Sequence, residues 1–196
     1  IRERVLGPDH PQLAAVLNNL GSVATKRGEH AAAIPLLTRA LTIEERALGP
    51  DHPNIALDLH NLASADTLAD HPAAALPRLE RALAIQERAL GPDHPLVATT
   101  LGSLASVKRE LGDLAAARPL LERALEIEEN TLGPDHPELA ITLVNLADVS
   151  LAQRRPDEAR LRLERARTIF DATPGAQLGE ADCHFLLAKA LLAGPG

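Results

Sequence analysis

Tryptophan, tyrosine and methionine are absent from this 196-residue chain, and its two phenylalanines, Phe170 and Phe185, complete the short roll of large aromatics. Deep small-molecule pockets are commonly lined with aromatic side chains, so a globular enzyme built around a cleft is disfavoured. A single cysteine, Cys183, excludes an internal disulfide and makes a reducing, cytoplasmic compartment the default. As a lone thiol it reads as a small buried hydrophobe. No apolar run approaches the roughly 20 residues of a membrane-spanning helix, and no signal peptide opens the chain. Positive charge is short as well. The net charge of -7 and pI near 5.6 argue against nucleic acid or an anionic membrane as partner.

What is present is small and aliphatic. Hydrophobic residues make up 45% of the chain, almost all of them Ala, Leu, Ile and Val. Such a core has to be thin and close-packed, as between helices that small residues allow to approach. The sequence also repeats. LGPDHP occurs at 6–11, 48–53, 90–95 and 132–137, each copy 42 residues after the last, and a fixed period of this size is the signature of a repeat array. The opening IRERVLG aligns with IEERALG (43–49) and IQERALG (85–91) and carries no initiator Met, so the chain reads as an excerpt of a longer array.

Each unit predicts two helices. In the first, Leu13, Leu17, Leu20 and Ala24 recur at spacings of four, three and four and form one apolar face. Gly28-Glu29 breaks the pattern. A second helix follows, with Ala33, Leu37, Ala40, Leu41 and Leu48 as its stripe. Three positions of that helix recur strictly: Ala33, Ala75, Ala117 and Ala159; Leu37, Leu79, Leu121 and Leu163; Ala40, Ala82, Ala124 and Ala166. Arg39, Arg81, Arg123 and Arg165 recur beside that seam and are expected to pair with acidic neighbours. Pro35, Pro77 and Pro119 each remove one hydrogen bond near the start of the second helix.

The LGPDHP hexapeptide then reads as a corner. Its Gly falls where a left-handed C-cap is wanted, the next Pro prevents continuation, and the last Pro suits the first turn of a new helix. Asp51 or His52, and their equivalents, sits at or beside the N-cap, where a side-chain acceptor satisfies free backbone donors. The alternative, a metal site, needs ligands converging within about 2 Å of one point. His10, His52, His94 and His136 lie one per module, a full helical pair apart, so no metal or other cofactor is expected.

The domain plan that follows has 1–7 as the end of a preceding repeat's second helix. Repeats 1 to 4 span 8–49, 50–91, 92–133 and 134–173, with a C-terminal capping helix and tail at 174–196. The fourth repeat diverges, with Leu161 in the Pro position and Arg154-Arg155 in place of Gly28-Glu29. The final helix is expected over about 177–192, with Phe185 closing the end of the core.

The run Leu17-x-x-Leu20-Gly21-x-x-Ala24 with Gly28, Ala33, Leu37 and Ala40 follows the spacing of the tetratricopeptide repeat. The 42-residue period, LGPDHP, LNNLG at 17–21 and A-x-P-L-x-x-R-A-L at 33–41 resemble the kinesin-light-chain type of that repeat, which bacteria also carry in large numbers. An arginine-rich, lysine-poor, alanine-rich composition points the same way, to a GC-rich bacterial genome. The resemblance covers about 1–172, although the large aromatics usual in the repeat are replaced by Leu or Ala. It implies an all-α fold, an α-solenoid of antiparallel helix pairs in a right-handed superhelix, stabilised between nearest neighbours. It also implies a protein or peptide partner in the concave groove and no chemistry of the array's own.

The stripe opposite the core face would meet that partner. It holds Asn18, Asn19, Ser22, Thr25 and Lys26 with Ala15; then Leu57, His60, Asn61, Ser64 and Thr67; then Thr99, Gly102, Ser103, Ser106 and Arg109; then Ile141, Val144, Asn145 and Asp148. Asn19, Asn61 and Asn145 share a register, with Ser103 in the gap. In the family, asparagines here bond the main chain of a bound peptide, as an amide that both donates and accepts can do. A solvated polar face, or Asn contacts between adjacent helices, is the other reading. Only Lys26 and Arg109 are basic on this stripe, too few to grip a terminal carboxylate, so a peptide of mixed character is expected in a polar, nearly neutral groove. Two functions stay open: a non-catalytic interaction scaffold, or a sensor segment of a larger signalling ATPase whose other domain would be an intramolecular partner. No G-x-x-x-x-G-K-[ST] phosphate loop occurs in the chain.

Overall fold

The computed structural model describes residues 10–173 and 180–192, and every element among them is a helix. In chain order they are α1 (Pro11–Lys26), α2 (His30–Leu48), α3 (Pro53–Leu68), α4 (Pro72–Leu90), α5 (Pro95–Glu110), α6 (Leu114–Leu132), α7 (Pro137–Ala152), α8 (Pro156–Ala172) and α9 (Glu180–Leu192). Residues 1–7 and the start expected for the last helix lie outside the described residues. The chain divides into two compact units, Ile1–Pro92 and Asp93–Gly196. Each is a stretch of α-solenoid made of helical hairpins, α1/α2 and α3/α4 in the first, α5/α6 and α7/α8 followed by α9 in the second.

Within each hairpin the turn is a Schellman cap. The Gly28 N–H donates to Thr25 O and the Glu29 N–H to Ala24 O, at 3.0 and 2.9 Å, and Gly28 takes φ +79°. Gly112 repeats this at φ +81°. Asp70 and Arg154 occupy the same place with side chains, at φ 63° and 60°, a conformation that crowds the Cβ of any residue but glycine.

Between hairpins the corner works as expected, with two refinements. His10, His52, His94 and His136 are the N-cap residues. Each Nδ1 accepts the backbone N–H two residues on, at 3.2, 3.2, 3.1 and 3.3 Å, and the following Pro is the first helical residue. Between the two candidates at this corner, the cap is the histidine. Gly49, Gly91 and Gly133 end the preceding helices with φ 88–91°, but their ψ of 156–161° lies away from the left-handed helical region expected for them. That extended, positive-φ region is nearly closed to residues with a Cβ.

The recurrent Ala, Leu and Ala of the second helices are all buried, none more than 2% exposed. Gly21 shows how close the hairpin arms come: a Cβ there would stand 2.5 Å from Leu37 Cγ. The first unit's seam continues from one hairpin to the next, where Leu62 and Ala65 of α3 pack with Ala24, Ala33 and Leu37. In the second, Leu146 and Val149 of α7 pack on Ala117 and Leu121.

Three apolar expectations are corrected. Leu20 is 52% exposed. Its equivalents Leu62 and Leu146 are buried against the hairpin before their own, and what precedes α1 lies outside the described residues. Leu48 in the last turn of α2 is 43% exposed, and Ile43 fills the buried position instead. Phe185 is 69% exposed; the end of the second unit's core is closed by Cys183, Leu186 and Ala190, with Phe170 beneath them. Cys183 is fully buried, as expected of a small hydrophobe, and its Sγ donates to Leu163 O at 3.5 Å.

Arg81 and Arg165 fasten the corners. Arg81 donates to Glu45 Oε1 at 2.5 Å and to Pro50 O at 2.6 Å; Arg165 donates to Glu129 Oε1 at 2.5 Å and to Pro134 O at 3.1 Å. The acidic pairing read from the sequence is thus joined by a bond to the carbonyl of the LGPDHP proline.

Candidate partner-binding hollows

The first helices of successive hairpins lie side by side, and a hollow opens between them in each unit. Between α1 and α3 it has a volume of about 220 Å³ and is lined by Ser22, Thr25, Lys26, Asn61, Ser64 and Leu68. Between α5 and α7 it measures about 320 Å³, with Thr99, Gly102, Ser103, Ser106, Ile141 and Asn145 on its walls. These walls come largely from the polar stripe read from the sequence. Helical spacing turns one side of the helix to the seam and leaves the serines and asparagines on the other.

Several stripe residues are spent inside the protein. Asn18 donates through Nδ2 to Asp58, and its Oδ1 accepts from Asn61 Nδ2 at 3.0 Å. Contacts between asparagines of adjacent helices therefore coexist with an exposed groove wall. Arg109 and Asp148 form an ion pair at 3.0 Å between α5 and α7, so neither stands open to a partner without breaking that pair. Asn19 is exposed but outside the first hollow, and His60 is half-buried, its pKa lowered by that burial. Val144, expected on the groove face, is only 6% exposed and packs into the core with Leu143 and Ala147.

The second hollow also contains residues the stripe did not include. Ala98 of α5, Glu128 of α6, and Glu138 and Thr142 of α7 complete its lining. Thr142 Oγ1 donates to Glu128 Oε1 at 3.0 Å. The other carboxylate oxygen, Oε2, is buried and has no hydrogen-bond partner among the described residues. Burial, with the charge of Glu138 adding to it against the Thr142 hydrogen bond, lifts the Glu128 carboxyl to about 7. The first unit has a buried carboxyl of its own, Asp58 of α3, in the register of Thr142 and 3% exposed, which burial and the nearby Glu44 raise to about 7 despite the bond from Asn18. Two carboxyls, Glu128 and Glu138, and no basic side chain are among the described residues that line the second hollow. A sequence signal existed: Glu128 directly follows Ile127, one of the buried isoleucines that recur at 43, 85, 127 and 169, and the same position holds Glu44, Gln86 and Phe170 in the other repeats.

The tetratricopeptide repeat family matches residues 1–45, 13–88, 72–129 and 96–172. No curated protein matches the chain. Among solved structures, the nearly identical TPR-like repeats of a kinesin light chain from Podosopora anserina share 26% identity at a TM-score of 0.79, covering 94% of this chain and 88% of that one. BtubC (BKLC) from P. vanneervenii shares 21% at a TM-score of 0.81, covering 93% and 73%. The apo form of RapI shares 21% at 0.71, covering 82% and 57%. The last two speak to the fold alone. The period, the capped corners and the small-residue seams account for these likenesses, and the chain belongs to the tetratricopeptide repeat family.

Proposed function

We propose that this chain is a non-catalytic interaction scaffold that holds an extended peptide, or a helix, of a partner protein against its first helices. The observation that carries the proposal is the pair of hollows between successive first helices, each walled by serines and by an asparagine of one register, Asn61 or Asn145. An amide side chain can donate to a carbonyl and accept from an N–H of the same peptide, which matches the alternation of a main chain. Ser22, Lys26 and Ser64 would contact the partner in the first unit, Ser103 and Ser106 in the second. Asn18, His60 and the Arg109–Asp148 pair would shape the walls, with Asn19 an exposed flanking contact.

The test is selection from a displayed library of random peptides by the whole chain and by its Asn19→Ala/Asn61→Ala/Asn145→Ala variant. The expected outcome is enrichment by the wild type only, with far-ultraviolet circular dichroism unchanged between the two. A variant that enriches the same peptides equally well overturns the groove assignment.

A further inference from the structure

The hollow between α5 and α7 differs from that between α1 and α3 in what lies at its base. Glu128 reaches it from α6, is 8% exposed, and leaves Oε2 without a hydrogen bond while Oε1 accepts from Thr142. A buried carboxylate with one oxygen unmet is costly unless something donates to it. Glu138 adds a second carboxylate to the lining, and no lysine or arginine lines the hollow. Gly102 leaves the way in open: a Cβ there would meet nothing within 4 Å, whereas the equivalent residue of the next repeat is Val144. The space of about 320 Å³ accommodates a long side chain.

We propose that this hollow is a binding pocket for a cationic side chain, arginine or lysine, projecting from the partner segment into the space between α5 and α7 and pairing with Glu128 Oε2. A neutral donor would fill the hydrogen bond but leave two carboxylates uncompensated, whereas a guanidinium or ammonium meets both needs and forms the stronger, charge-assisted bond. Ser103 and Asn145, on the walls, are placed to hold the backbone on either side of that residue. The pocket rests on the groove reading above and adds to it a site, a charge and a side-chain class.

The probe is a capped heptapeptide, acetyl-Ala-Ser-Gly-Arg-Gly-Ser-Ala-amide, titrated into the ¹⁵N-labelled chain, beside the same peptide with neutral citrulline in place of arginine. The arginine peptide is expected to shift the amide signals of Gly102, Ser103 and Asn145 saturably, and citrulline to bind at least about tenfold more weakly. Glu128→Gln, which keeps the shape and the Thr142 bond, should lose the arginine preference. Gly102→Val should block entry without touching Glu128, and spectra elsewhere report that both variants are folded. Equal binding of the two peptides, or a Glu128→Gln variant that still prefers arginine, overturns the pocket while leaving the groove standing. Absence of any shift at these residues with the arginine peptide also overturns it, and the groove keeps its separate test in the asparagine triple variant.

Discussion

Arg165 holds two successive hairpins of the second unit together by bonding both Glu129, in the last turn of α6, and the carbonyl of Pro134, in the corner that follows. Arg81 repeats the arrangement in the first unit with Glu45 and Pro50. A guanidinium can serve two acceptors at a fixed angle, which a lysine ammonium on a flexible stem does less well. Arg165→Lys should therefore lower stability in spite of its retained charge, by roughly 1 kcal/mol given that both partners are more than a third exposed to solvent. Urea unfolding of the whole chain measures it. A lysine variant as stable as the wild type would show that the corner carbonyl contributes nothing.

The histidine caps make a second prediction. Each imidazole Nδ1 accepts one otherwise unmet N–H at a helix start. His136→Ala should cost about 1 kcal/mol, and His136→Asn, whose side-chain oxygen can take the same N–H, should recover most of it. Thermal unfolding of the two variants separates capping from simple loss of volume, since asparagine is smaller than histidine.

Arg154 stands where two of the other three hairpins use glycine, at φ 60°. Arg154→Gly should stabilise the α7/α8 hairpin by about 1 kcal/mol through relief of the crowded Cβ, offset in part by the greater freedom of glycine in the unfolded chain. Asp70→Gly is the matching change in the first unit. Urea midpoints that fall in both variants would mean that the two side chains make contacts worth more than the strain.

Much of this architecture was legible because the repeat states it four times. The Ala33, Leu37 and Ala40 registers, the helix-starting proline of the corner and the buried Cys183 all follow from local rules of spacing and capping, whereas the corner glycines take an extended ψ that the C-cap rule did not give. What escaped depends on neighbours further away. Leu20 has the same spacing as Leu62, but burial there comes from a preceding hairpin rather than from the helix itself. Phe185 was expected to be inside on size, yet the rotation of α9 turns Cys183 and Leu186 inward and leaves the ring outside. A carboxylate such as Glu128 reads as a surface residue, and only the packing of α7 over α6 shows that it faces a hollow. Helical spacing put Val144 on the groove stripe, although it packs into the core, and could not reveal that Asn18 would be engaged with Asp58 and Asn61, or Arg109 with Asp148.

Asp58 and Glu128 tie stability to pH. Both carboxyls stand at about 7 in the folded protein, raised first by burial, and near 4 in an unfolded chain. Below about pH 4 both states carry these protons, and the contribution is fully present. Between about 4 and 7 only the folded state retains them, so each increment of pH weakens the fold, and above the folded value the loss is complete. His60 acts in the opposite sense: burial lowers its pKa, and its contribution is present above the unfolded value near 6.5 and lost as pH falls. Comparison with variants isolates the carboxyls from that effect. Asp58→Asn keeps an oxygen for the Asn18 amide, and Glu128→Gln keeps one for Thr142, while neither can become a buried anion. The double variant should be more stable than the wild type at pH 8, by on the order of 2 kcal/mol, with the advantage shrinking toward pH 5. Urea unfolding at the two pH values measures the difference, and an advantage that does not change with pH would mean that the two carboxyls titrate in the folded protein as they do in the unfolded chain.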